Sequence, residues 1–238
     1  MIAIVTAIKE EAAALRWPLR RVTEGYSVTT VGVGKERAIE SMQKLLTEGE
    51  RPHLVLALGF CGGLTSSLTP GWLILAKRFL AQNQELVLSA TPAFAEQAEK
   101  NLTAVGIPFS MGDSLTVDGV VRSSRQKAAL AREYAVSTVN MEDYWLAQRC
   151  AEANVPFISV RAVVDTVNDD LPAVIEEFAS TDDSGRGLSI ALGAIRRPAN
   201  VLILLSMAKK AGAAKKSLGV FAGRFVPNLI SGGILSPA

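Results

Sequence analysis

The stretch that decides the fold is residues 139–170, which read VNMEDYWLAQRCAEANVPFISVRAVVDTVNDD. Glu142 stands just ahead of an amphipathic helix, and Asn154 closes that helix before Pro156 restarts the chain as extended. The β-branched run that follows is typical of a strand covered on both faces, and it ends at Asp165. Open α/β sheets place their chemistry at the carboxyl ends of such strands. Taken singly, Glu142 could simply cap its helix and Asp165 could begin a turn.

Length and composition indicate a folded α/β protein rather than a disordered or membrane-spanning chain. The 238 residues are 49% hydrophobic and 20% charged, which suffices for a sizeable core. A net charge of +2 gives no electrostatic reason to expect nucleic-acid binding. Because Glu10 and Glu11 make the first segment acidic early, we predict no signal peptide. We also predict no transmembrane helix, and therefore a cytoplasmic protein.

The few cysteine and histidine residues argue against metal chemistry. Cys61 and Cys150 lie far apart in the sequence and offer no disulfide framework, as expected in a reducing compartment. His53, the single histidine, follows a proline and is best explained as a turn or strand-edge residue. We therefore expect no metal site and no cofactor.

A glycine turn after the second predicted strand is the other candidate ligand loop. Gly32 and Gly34 precede Lys35 and a predicted helix, but Arg37 stands where a dinucleotide fingerprint needs its third glycine. We interpret this segment as a tight strand-to-helix turn. Farther along, residues 123–134 form a basic helix that we interpret as a solvated face.

The central stretch resembles the signature of the purine nucleoside phosphorylase and nucleosidase superfamily, and particularly its methylthioadenosine/adenosylhomocysteine nucleosidase branch. The family pattern is V-x-M-E, a helix, and then V-P-F-x-x-V-R-A-x-x-D. Here it stands, with matching order and spacing, as Val139, Met141, Glu142, Val155, Pro156, Phe157, Val160, Arg161, Ala162 and Asp165.

The resemblance implies a fold and an assembly. We expect residues 1–238 to form a single three-layer αβα domain with a mixed central β-sheet, and a homodimer by similarity to the nucleosidase branch. From about residue 189 we predict an amphipathic helical segment in two parts, residues 189–195 and 198–218, followed by an apolar tail from Phe221 without a motif. Its apolar face could cover the core or a dimer seam. With its lysines, it could instead lie on a membrane surface.

The resemblance also implies residue roles in cleaving a nucleoside. Asp165 would protonate the purine at N7, and Glu11 would activate a water molecule. Glu142 would bind ribose hydroxyls and Met141 would pack on the sugar. The remaining predicted contacts are main-chain or wall positions of the ribosyl and base pockets, namely Phe60, Cys61, Gly62, Val120 and Val121.

Several departures from the family pattern bear on the substrate. The chain lacks the Gly-Asp-Pro-x-Arg phosphate loop, and Phe60 occupies a place where a phosphorylase would need a hydroxyl. Val164 replaces a serine that commonly precedes the catalytic aspartate, and Trp72 replaces an aspartate. We therefore predict water as the acceptor and an apolar 5′ substituent, with the hopanoid-associated phosphorylase/nucleosidase subgroup as one candidate. A phosphate-dependent phosphorylase and a non-catalytic nucleoside-binding protein are the alternatives.

Overall fold

The computed structural model describes residues 1–173, 175 and 198–232, with the side chains of residues 198–204 excepted. Its helices and strands follow the order that the hydrophobic pattern indicates. In chain order they are β1 (Ile2–Thr6), α1 (Lys9–Leu19), β2 (Tyr26–Thr30), α2 (Lys35–Thr47), β3 (Leu54–Gly63), β4 (Leu73–Ala81), β5 (Leu88–Ser89), α3 (Pro92–Val105), β6 (Phe109–Thr116), α4 (Ser124–Tyr134), β7 (Thr138–Asn140), α5 (Asp143–Glu152), β8 (Phe157–Asp165) and α6 (Pro198–Ser231).

The strands form one mixed eight-stranded sheet, as expected. Strands β2, β1, β3 and β8 are mutually parallel in that order, so their carboxyl ends meet at one edge. Strand β8 also pairs with β4 antiparallel, β4 with β6 parallel, β6 with β7 parallel, and β7 with β3 antiparallel. The middle strands therefore close into a ring of β3, β8, β4, β6 and β7, a detail that lies beyond the predicted mixed sheet.

Helices cover the sheet and complete the predicted α/β class. Helix α6 packs against α1, α3 and β8, while α2 packs against α5. Helix α3 shows how local sequence fixes an element. It begins with Pro92 in its first turn and ends at Gly106, whose φ of 72° suits glycine. Asn154, with φ of 53°, terminates α5 as predicted.

The C-terminal helix differs from the prediction. The structure has one helix over Pro198–Ser231, so the helix predicted for residues 198–218 continues through the apolar tail, in which no motif was found. The buried face lies in this second half and comprises Ala214, Leu218, Phe221, Ala222, Phe225, Val226 and Leu229. Phe221 and Phe225 stack at 4.9 Å between ring centroids. The second half therefore covers the core, one of the alternatives considered, whereas Leu205 in the first half is 62% exposed. The predicted segment 189–195 lies outside the described residues.

The described helices contain no span that is both long enough and apolar enough to cross a membrane.

Candidate active site

Glu11 lies in the first turn of α1, directly beyond the carboxyl end of β1. Its Oε2 accepts hydrogen bonds from the amides of Ala7 (2.7 Å) and Ile8 (3.2 Å), which caps the helix. Its Oε1 accepts a 2.7 Å hydrogen bond from the amide of Phe60 on β3. Burial raises the pKa of Glu11, against the opposing effects of Arg161 and the three amides. The carboxylate therefore caps α1 and joins it to β3, at the position where the site role was predicted.

Glu142 does not cap its own helix. The cap is supplied by Asn140, whose Oδ1 accepts hydrogen bonds from the amides of Glu142 (3.0 Å) and Asp143 (2.9 Å). This frees the Glu142 carboxylate to reach the glycine turn before α2, where its Oε1 accepts a 3.1 Å hydrogen bond from Gly34. Gly34 adopts φ of 88°, which few other residues tolerate. Burial raises the pKa of Glu142 to about 7, although Arg161 opposes the rise.

Arg161 is a buried cation beside Glu142, and it was assigned no role from the sequence. It is 3% exposed, and its Nε and Nη2 donate to Asp143 Oδ1 at 3.0 and 2.6 Å. Its Nη1 lies 3.8 Å from Glu142 Oε2. Although burial lowers the pKa of Arg161, the attraction of Asp143, Glu142 and Glu11 raises it further, so the guanidinium stays charged.

Asp143 is the carboxylate that fixes Arg161, and it too was missed. It is fully buried and accepts hydrogen bonds from Ser159 Oγ (2.9 and 3.0 Å) and Asn140 Nδ2 (3.0 Å). Its position directly after the V-x-M-E pattern, next to Glu142, could have indicated that it supports the site. A buried charge requires such compensation because desolvation is costly.

Asp165 stands at the carboxyl end of β8, where it was predicted, and is 7% exposed. It pairs in register with Gly62, while Arg161 pairs with Gly59. A Cβ at Gly62 would lie 3.2 Å from Asp165 Oδ2, and a Cβ at Gly59 would lie 2.7 Å from Glu11 Oε1. The Glu11 and Asp165 carboxylates therefore approach β3 at two glycines that are three residues apart. Burial raises the pKa of Asp165, against the opposing effect of Lys127.

The burial of Lys127 contradicts the prediction made for α4. Helix α4 was expected to present a solvated basic face, yet this lysine is 0% exposed and its Nζ lies 2.5 Å from Asp165 Oδ2. Ser123 and Gln126 form a capping box that fixes where α4 begins. Which side of α4 is buried depends on the segment after β8, whose carbonyls accept hydrogen bonds from Lys127.

The remaining predicted residues divide into two groups. Met141 and Val121 pack against the same small hydrophobic cluster, which includes Leu64 and Val139. Val120 lies next to Val121 in the segment between β6 and α4 and is half-buried. The structure thus brings the predicted sugar-packing residue and part of the predicted base segment together.

The second group lies on and beside β3. Phe60 is half-buried against the main core, and Cys61 packs in a separate cluster with Val163 and Trp72. Phe60 and Trp72 therefore belong to different clusters rather than to one apolar wall. Burial raises the pKa of the Cys61 thiol well above its usual value, which makes it unsuited to act as a nucleophile. The described residues contain no cluster of three or more side chains suited to hold a metal ion.

The fold and the site define an α/β enzyme whose buried carboxylates line the carboxyl edge of parallel strands. The family model described as the phosphorylase superfamily matches residues 19–194, about three quarters of the chain. The chain belongs to the phosphorylase superfamily, and the resemblance drawn from its central stretch is confirmed.

Curated relatives and solved structures are consistent with membership of this superfamily. A 5′-methylthioadenosine/S-adenosylhomocysteine nucleosidase of Staphylococcus haemolyticus is 24% identical over 210 residues, covering 75% of this chain and 92% of its own length. The solved structure of futalosine hydrolase from Helicobacter pylori has a TM-score of 0.71 at 17% identity, covering 96% and 97% of the two chains. A Neisseria meningitidis methylthioadenosine/adenosylhomocysteine nucleosidase in complex with methylthio-immucillin-A gives a TM-score of 0.72 at 17% identity, covering 96% and 99%. At these identities the solved structures show a shared fold.

Proposed function

We propose that this enzyme hydrolyses the N-glycosidic bond of a purine nucleoside of the adenine type. The observation that carries the proposal is the placement of two buried carboxylates, Glu11 and Asp165, along the glycine-rich end of β3 with Glu142 beside Glu11. Two carboxylates at separate points along one strand suit a pair that acts on opposite faces of a sugar with water between. The named relatives act as nucleosidases, which supports the same chemistry here.

The proposed reaction needs only these side chains and one water molecule. Asp165, whose pKa burial raises, is the proposed donor of a proton to N7 of the base as the bond from C1′ to N9 breaks. The bonding electron pair leaves with the base, and the sugar passes through an oxocarbenium-like state. Glu11 takes a proton from the water molecule as the water oxygen bonds to C1′. The products are free base and the free sugar, and solvent returns a proton from Glu11 to Asp165.

Water is the proposed acceptor because acidic side chains already face the nitrogens of Arg161, the buried cation that acts on Glu11. Arg161 directs two of its nitrogens at Asp143, and the third faces Glu142. A phosphate ion placed beside it would meet Glu11, Glu142 and Asp143, three acidic groups that surround one guanidinium. Like charges at this range disfavour binding strongly in a buried site.

The 5′ substituent is proposed to be apolar, on the basis of Phe60. Its amide donates to Glu11, so the residue adjoins the proposed water base, and its aromatic side chain is half-buried against the main core. Methylthioadenosine, named for the relatives and apolar at the 5′ position, is therefore a proposed substrate together with longer alkyl nucleosides such as adenosylhopane. Adenosylhomocysteine, also named for the relatives, has a zwitterionic 5′ group and should be cleaved less well. Trp72 no longer supports this point, because it packs with Cys61 and Val163.

The test is detection of free base from adenosine, methylthioadenosine, adenosylhomocysteine, inosine and a 5′-alkyl adenosine, each with and without phosphate. We expect release without phosphate, and a loss of at least about 100-fold in Asp165→Asn. Asp118→Asn is the matched control, since Asp118 is exposed, and it should retain activity. Strict phosphate dependence would establish a phosphorylase instead. No release from any substrate would indicate a binding protein.

A homodimer in the cytoplasm is the proposed state of the enzyme, by similarity to the nucleosidase branch. The first half of α6, with exposed Leu205, is a surface that a partner copy or a lipid surface could cover. Light scattering after size exclusion, and co-sedimentation with anionic vesicles, distinguish the two.

A further inference from the structure

The side chain of Lys127 runs from α4 into the protein interior and ends at the proposed general acid. Its Nζ lies 2.5 Å from Asp165 Oδ2, and neither side chain has more than 10% of its surface exposed. Oδ2 is itself buried and accepts no well-formed directional hydrogen bond from the described residues. The ion pair with Lys127 is therefore the contact that holds this oxygen.

The position of Nζ is fixed independently of Asp165. Nζ donates hydrogen bonds to the carbonyl oxygens of Thr166 (3.0 Å) and Asp169 (2.8 Å), so the segment after β8 wraps around it. The Asp169 carboxylate in turn accepts hydrogen bonds from the Thr166 amide (2.8 Å) and hydroxyl (3.0 Å). Lys210 of α6 pairs with the same carboxylate at 2.7 Å. The two carbonyls fix the position of the Lys127 ammonium group, and the hydrogen bonds of Asp169 fix the segment that carries them.

The charged and titratable groups around Asp165 come from four parts of the fold. They are Lys127 on α4, Asp169 in the segment after β8, Lys210 on α6 and Cys61 on β3. Among these groups of the described residues, Lys127 is the one whose ion pair with the carboxylate is direct. Val164, the residue before Asp165, carries no hydroxyl that could orient it.

We propose that Lys127 is the positioning residue for Asp165 and that it supplies the orientation which a serine at position 164 would otherwise provide. This inference rests on the proposed role of Asp165 as the acid that protonates the base. A correctly placed acid contributes about 100- to 10,000-fold to rate, and a misplacement of about 1 Å can cost about 100-fold. Removing Lys127 should therefore lower kcat by about 10- to 100-fold and leave KM within about 3-fold, since Lys127 is placed to touch Asp165 and not the substrate.

The pH profile separates this role from a merely structural one. The protonated form of Asp165 is the active one, so the rate falls as pH rises through its pKa. Lys127 opposes the rise that burial imposes on that pKa. Without the lysine, the pKa of Asp165 rises and the alkaline limb of kcat moves to higher pH. A general loss of folding would lower the rate without moving that limb.

The experiment measures kcat, KM and the alkaline limb for Lys127→Met and Lys127→Gln, alone and combined with Asp165→Asn. The glutamine variant keeps a hydrogen-bond donor for the two carbonyls, so it covers the case in which the methionine variant fails to fold. Lys44→Met is the matched control, because Lys44 forms an exposed ion pair with Glu40. It should change none of the three quantities.

The expected result is a reduced kcat, an alkaline limb at higher pH, and no further loss when the lysine variant is added to Asp165→Asn. An unmoved limb in folded variants would overturn the inference. So would a loss that multiplies with that of Asp165→Asn, because independent effects add in free energy. If the unmodified enzyme releases no base, the proposed function fails first, and that outcome is distinct from both.

Discussion

Replacing Glu142 with glutamine should make the protein more stable at alkaline pH while it weakens activity. Glu142 is 4% exposed, and burial raises its pKa from 4.5 to about 7. A difference of about 2.5 in pKa corresponds to about 3 kcal/mol, since each pKa unit is worth about 1.4 kcal/mol. Glutamine has the same shape, can still accept the hydrogen bond from Gly34, and is never charged. It therefore removes the cost of ionising a buried carboxyl.

The sign of the effect follows from the two pKa values. Below pH 4.5 the carboxyl is protonated in both the folded and the unfolded chain, so it contributes nothing. As pH rises from 4.5 to about 7 the unfolded chain ionises first, and Glu142 progressively destabilises the folded state. Above that range the cost is complete. Glu142→Gln should therefore raise the free energy of unfolding by about 3 kcal/mol at pH 8.5 and by less than about 1 kcal/mol at pH 5.

The assay is urea denaturation of the two proteins at pH 5 and pH 8.5, followed by the rate of base release. Loss of a hydrogen bond to a charged group costs about 1.5–3 kcal/mol, so kcat/KM should fall roughly 10- to 100-fold. Glu40→Gln is the control, because Glu40 is exposed and Lys44 lowers its pKa; it should gain no stability at either pH. Equal stabilisation of Glu142→Gln at both pH values, or none at pH 8.5, would refute the reasoning.

Two further substitutions probe the surroundings of Glu11. Arg161→Met should lower the free energy of unfolding by about 3–5 kcal/mol, because it leaves buried carboxylates uncompensated, and the melting temperature by roughly 6–20 °C. Arg51→Met, at an exposed arginine, should cost less than about 1 kcal/mol, and comparable losses would contradict the account. Gly59→Ala should lower kcat/KM by about 100-fold, since its Cβ would overlap Arg161 and lie 2.7 Å from Glu11 Oε1. Gly212→Ala, in open space on α6, should leave kinetics unchanged; unchanged kinetics in Gly59→Ala too would refute the close fit.

Local patterns of the sequence were enough to predict much of the fold. The apolar runs of β1, β3 and β8 are buried nearly throughout, and the glycine turn before α2 has the positive φ values that its composition indicates. Glu142 and Asp165 were also predicted at the correct ends of their elements, because strand and helix limits can be identified from proline, asparagine and β-branched residues.

Contacts between distant segments could not be predicted in this way. Lys127 appears as one more basic residue of a polar helix, and its burial depends on where the segment after β8 returns to meet α4. Arg161 and Asp143 lie 18 residues apart in the sequence, and their ion pair depends on the packing of α5 against β8. The length of α6 was underestimated because its last turns are stabilised by packing of Phe221 and Phe225 rather than by a polar face.

The most direct test of the central claim is hydrolysis of methylthioadenosine in ¹⁸O-labelled water without phosphate. The account predicts one adenine per sugar released, with the label at C1 of the sugar when the product is trapped promptly by reduction. Asp165→Asn should release neither product at a comparable rate. Release of adenine only when phosphate is added, with phosphate oxygen at C1 and no label from water, would contradict the account.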